Sequence, residues 1–77
     1  MPKIAELNLP LRNIREAAGI SLEDMAAILT KQLGRTVKPD YVYLVERRGT
    51  GRYDYINAYA LATGRAINEV ADAAKSL

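Results

Sequence analysis

The chain contains no cysteine, no histidine, no phenylalanine and no tryptophan. Without cysteine there are no disulfide staples and no thiolate nucleophiles, and without histidine there is no imidazole base. The common zinc ligands are missing with them. The carboxylates are scattered over helix surfaces, none beside a base or nucleophile, so the chain reads as a non-enzyme that needs no cofactor. No apolar run approaches the roughly 18 residues needed to span a bilayer. The opening MPKIAELNLP lacks both a cationic leader and an apolar signal core. The expected setting is cytoplasmic, without a membrane partner.

What is present fits a small globular protein. The 77 residues, 49% apolar and 26% charged, are expected to form one domain over 1–77. Such a short chain has a thin core, so dimerisation or a ligand is expected to matter to its stability. The net charge of +2 is unevenly distributed. Residues 1–30 and 53–77 each carry a net −1, whereas residues 31–52 carry +4 through Lys31, Arg35, Lys38, Arg47, Arg48 and Arg52 against Asp40 and Glu46. Cations gathered in one segment form either a phosphate-facing patch or a solvated basic face.

Five helical segments can be read along the chain. The first runs from about Pro10 to Ala18, with Asn8 as cap, Ile14, Ala17 and Ala18 on one face, and Gly19 as the stop. Ser21 opens the second, because Ser21-Leu-Glu-Asp24 resembles a capping box and its acids favour the helix N-terminus. Met25, Ala26, Ile28, Leu29 and Leu33 form its apolar stripe, and Gly34 ends it. The third begins at Pro39 and runs to about Arg47, with Val42 and Val45 inward and Asp40, Tyr43, Leu44 and Arg47 on the opposite face. The segment VYLV also scores as a buried strand, but both flanks carry helix signals. The fourth, Tyr53 to Thr63, turns Ile56, Tyr59 and Ala60 inward and is expected to turn Tyr55 outward. The fifth, Ile67 to Lys75, presents Ile67, Val70, Ala71 and Ala74, a face that seats it on the core or continues outward as a dimer contact.

In this order the segments resemble the phage-repressor-like (lambda-repressor-like, Xre-type) helix-turn-helix family. The resemblance covers about Leu11 to Val70 and rests on several elements. These are LRNIREAAGIS before the second helix, Ala26 where the motif helices cross, Val37 in the turn, Val42 and Val45 on the third helix, Glu46 before RRG, and YALATGRAINEV for the last pair. It implies an all-α, compact five-helix repressor-like domain whose second and third helices form a helix-turn-helix, the third entering the major groove. Three features depart from the family pattern. Leu22 stands where the family usually has a polar residue, the stretch from Ala26 to Val37 is longer, and Pro39 and Asp40 open the third helix in place of serine, arginine or glutamine.

Carried over residue by residue, the resemblance implies a DNA-facing set of Lys38, Asp40, Tyr41, Tyr43, Leu44 and Arg47, with Arg48, Thr50 and Arg52 in the loop that follows. Lys38, Arg47, Arg48 and Arg52 suit phosphate, Tyr43 and Leu44 suit thymine methyls or base edges, and Asp40 suits a cytosine amino group. Tyr41 suits half-buried packing against the first or fourth helix equally well. The implied function is sequence-specific binding of double-stranded DNA by a homodimeric transcriptional regulator. The alternative is a protein-protein interaction module, an antitoxin or accessory factor, with surface tyrosines meeting a protein partner.

Overall fold

Local signals set the helix boundaries throughout residues 9–75, the part of the chain that the computed structural model describes. The helices are α1 (Pro10–Ala17), α2 (Leu22–Leu33), α3 (Pro39–Arg48), α4 (Tyr53–Thr63) and α5 (Ile67–Lys75). No strand occurs among the described residues, so VYLV is helical. Pro10 and Pro39 each sit in a first turn, where a missing amide and a fixed φ are no burden. Ser21 Oγ accepts from the Asp24 amide at 3.1 Å, the bond that starts α2. Gly34 and Gly64 end α2 and α4 at φ 71° and 72°, a left-handed conformation that a side chain would strain. The Asn8 cap lies outside the described residues; at the position before Pro10, Leu9 offers no side-chain cap.

The main helix contacts run in a closed ring: α1 on α3, α3 on α2, α2 on α4, α4 on α5, and α5 back on α1. One apolar cluster fills it, centred on Leu11, Met25, Leu29, Val42, Tyr55, Tyr59 and Val70. The alanines at 26, 58, 60, 73 and 74 are also buried, and side chains this small let helix backbones approach closely. Val37, Val42, Val45, Ile56 and Ala60 are buried as expected, whereas Leu33, Ile67 and Ala71 are only half-buried at its margin and Ile28 is half-buried. No helix among the described residues is long and apolar enough to cross a membrane.

Two expectations are corrected. Tyr55 does not point outward; it is 1% exposed and stacks on Tyr59 with ring centroids 5.9 Å apart. α4 packs against both α2 and α5, so it buries a wider arc than one stripe. On α1 the buried residues are Leu11, Ile14 and Arg15, and Ala17 and Ala18 are exposed.

Arg15 reaches inward because Glu46 is there to meet it. Arg15 Nε donates to Glu46 Oε2 at 2.7 Å, Nη2 donates to Oε1 at 3.2 Å, and Nη1 donates to the Ile20 carbonyl at 2.8 Å. The Tyr59 hydroxyl lies 2.7 Å from Glu46 Oε2 and 2.8 Å from the Leu11 carbonyl, so its single proton serves two acceptors. Arg15 and Glu46 are 6% and 1% exposed, and ions so far out of water persist only when paired and hydrogen-bonded. Burial works to lower the Arg15 pKa, but the bond and charge of Glu46 outweigh it and hold it above its ordinary value. Burial and the Glu46 charge push both Tyr59 and Tyr55 up.

Arg15→Met is therefore expected to strand a buried carboxylate and to cost about 3–5 kcal/mol in urea unfolding, while Arg15→Met with Glu46→Leu recovers most of that loss. A single variant as stable as the parent would remove the pair from the core's requirements. A second expectation concerns alkaline pH. Folded Tyr55 and Tyr59 keep protons that the unfolded chain releases near pH 10, so their contribution is intact below that pH and declines above it. Urea midpoints should fall above about pH 10, each tyrosine contributing up to about 1.4 kcal/mol per pH unit, with Tyr59→Phe removing one contribution.

Candidate nucleic-acid interface

α3 is anchored along one side and open along the other. Val42, Val45 and Glu46 are buried, and Glu46 sits in the ion pair with Arg15 of α1. Asp40, Tyr43, Leu44 and Arg47, at the opposite helical positions, are all exposed. Tyr43 and Leu44 keep 46% and 40% of their surface in solvent, which leaves an apolar strip free for contact. Arg47 folds back along this strip. Its Nη1 donates to the Tyr43 hydroxyl at 3.1 Å, and the guanidinium carbon lies 5.7 Å from the centre of the Tyr43 ring.

The bend before α3 is braced by Thr30 of α2. Thr30 Oγ1 accepts from the Val37 amide at 2.8 Å and donates to the Val37 carbonyl at 3.2 Å, which fixes the approach to Lys38 at the head of α3. Lys38 is exposed, as is Arg48 at the tail of the helix. Tyr41 is at the edge of the open face, 37% exposed, with its ring edge-on to Tyr55 at 5.8 Å. Tyr41 thus touches the fourth helix through its ring edge while remaining exposed.

Beyond α3 the chain passes Gly49, at φ 79°, and is tied down by the Thr50 amide, which donates to the Ala74 carbonyl of α5 at 3.3 Å. Thr50 Oγ1 in turn accepts from the Arg52 amide at 3.1 Å. This loop and the end of α5 line a shallow hollow of about 430 Å3, flanked by the cationic side chains of Arg48 and Lys75.

The cations of residues 31–52 fall into two groups. Arg52 forms a two-point contact with Asp54, at 3.3 Å from Nε and 3.1 Å from Nη2, and Arg35 approaches the same carboxylate at 3.5 Å. The Arg52 hydrogen bond holds the Asp54 carboxyl below its ordinary pKa, helped by the Tyr55 amide donating to Oδ1 at 2.7 Å. Arg52, expected to face phosphate, is thus already engaged. Lys38, Arg47 and Arg48 have no carboxylate partner among the described residues. They sit at the head and tail of α3 and flank its open face, with Asp40 the lone acid there.

The sequence reading missed Asp54 and Thr30. Asp54 stands two residues after Arg52, a spacing that permits the bidentate contact, but the reach of Arg35 across from the preceding bend depends on tertiary packing. Among the described residues no group of three acids is placed to hold a metal ion. No family model, curated protein or solved structure matches the chain.

Asp54→Asn keeps the shape and removes the charge that detains Arg35 and Arg52. The variant is expected to elute from immobilised heparin, a generic polyanion, at higher salt than the parent. Unchanged elution would place both arginines outside any polyanion-facing surface.

Proposed function

We propose that this protein binds double-stranded DNA sequence-specifically and regulates transcription, with α2 and α3 as a helix-turn-helix of the phage-repressor-like kind. The observation that carries the reading is the division of α3, one side fixed to the core through Val42, Val45 and Glu46, the other open with cations at both ends that have no carboxylate partner among the described residues. A ten-residue helix is about 15 Å long, and the major groove is about 12 Å wide, so α3 can lie in the groove with its ends near the two strands. Lys38 and Arg48 then meet phosphates, which positions the helix without reading sequence. Tyr43 and Leu44 face thymine methyls and base edges, and Asp40 faces a cytosine amino group. A homodimer places two such helices in successive grooves.

The exposed side of α4 supports a second reading. Tyr53 and Leu61 are 66% and 63% exposed, and an exposed tyrosine favours protein contacts. In that reading the protein is an interaction module, an antitoxin or accessory factor, and α3 is one of its docking surfaces.

Titration of binding to random duplex DNA against salt separates the two. DNA binding through phosphates gives a steep log-log salt dependence, and Lys38→Ala and Arg48→Ala each flatten the slope by roughly 1. On a selected operator the dimer should protect two half-sites about 10 to 10.5 base pairs apart. Absence of duplex binding at low salt, or binding without a salt slope, favours the interaction module.

A further inference from the structure

Arg47 was expected to touch phosphate because it lies near the end of α3. Its actual course is different. Side chains on a helix lean toward the N-terminus and cover the preceding turn, and Arg47 follows this tendency until its head rests over Tyr43. Two contacts hold it there, the bond from Nη1 to the Tyr43 hydroxyl and the cation–π contact with the ring. Unlike Arg15, Arg35, Arg52 and Arg65, it has no carboxylate partner among the described residues. The guanidinium is therefore set back over Tyr43 on the open face rather than extended past the end of the helix.

A guanidinium so placed has Nε and Nη2 left to donate together. Guanine is the base that offers two acceptors side by side in the major groove, O6 and N7, and the planar fork of a guanidinium meets both at once. Restraint by Tyr43 also reduces the side-chain entropy lost on binding. We propose that Arg47 reads a guanine in each half-site, with Tyr43 as its positioning residue and Leu44 supplying an adjacent apolar contact. This rests on the DNA-binding reading and changes the role of Arg47 within it from phosphate anchor to base reader.

The test is selection from a library of randomised duplexes by the full chain and by the Arg47→Ala, Tyr43→Phe and Arg48→Lys variants, with salt titrations on the selected and on random duplexes. All three substitutions are at exposed positions, and circular dichroism checks that the fold is kept. Arg47→Ala removes the fork and should reduce preference for guanine at one half-site position by about 5- to 150-fold, whereas loss of a phosphate anchor would weaken all sequences alike. Tyr43→Phe keeps the ring but not the hydroxyl and should weaken the same preference to a smaller extent. Arg48→Lys should leave it intact. If Arg47→Ala selects the same sequences with undiminished guanine preference, or weakens all duplexes alike, the inference is overturned while DNA binding stands. If the parent chain shows no salt-dependent duplex binding at all, both fall together.

Discussion

A guanidinium and a carboxylate removed from water must satisfy each other and nearly all their remaining hydrogen-bonding groups, and the arrangement of three helices here depends on that requirement. Arg15 comes from α1, Glu46 from α3 and Tyr59 from α4, and their bonds reach the carbonyls of Leu11 and Ile20 as well. Hydrophobic burial is non-directional and tolerates small rotations of one helix against another. Bidentate geometry does not. Glu46 immediately follows Val45 on the inner side of α3, so the pair also sets the rotation of that helix about its axis. Which residues α3 offers to solvent is thus decided by a contact on its hidden side.

The helix ends and most of the core were legible in the sequence because their causes are local. Ser21, Gly34, Pro39 and Gly64 act through their own backbone conformations or bonds within one turn, and Val42 and Val45 follow helical spacing. The ion pair was not legible, since its members are 31 residues apart and each looks like an ordinary surface charge. A weak signal did exist. Leu11 and Arg15 are four apart, as are Val42 and Glu46, so each charged residue lies on an apolar stripe. Tyr55 was not legible for a related reason, because it lies off the single stripe that helical spacing marks, on a helix that contacts two neighbours.

The candidate surface divides the same way. The open face of α3 could be listed from periodicity alone, and Asp40, Tyr43, Leu44 and Arg47 are all exposed. The state of each cation could not, because a formal charge count treats Arg52 and Arg48 alike. Asp54 engages Arg52 and Arg35, whereas Arg48 has no carboxylate partner among the described residues. The excess charge of residues 31–52 therefore overstates what that segment presents free to a polyanion.

The ring of helix contacts has a consequence for how the fold is lost. Three of its five links, α1 to α3, α2 to α4 and α1 to α5, join helices that are not consecutive in the chain, so no neighbouring pair forms a complete unit. Detaching α1 opens two links at once and leaves Glu46 without its cation. Partial opening is accordingly disfavoured, and amide protons of helices on opposite sides of the ring should exchange through one shared global event rather than by fraying helix by helix.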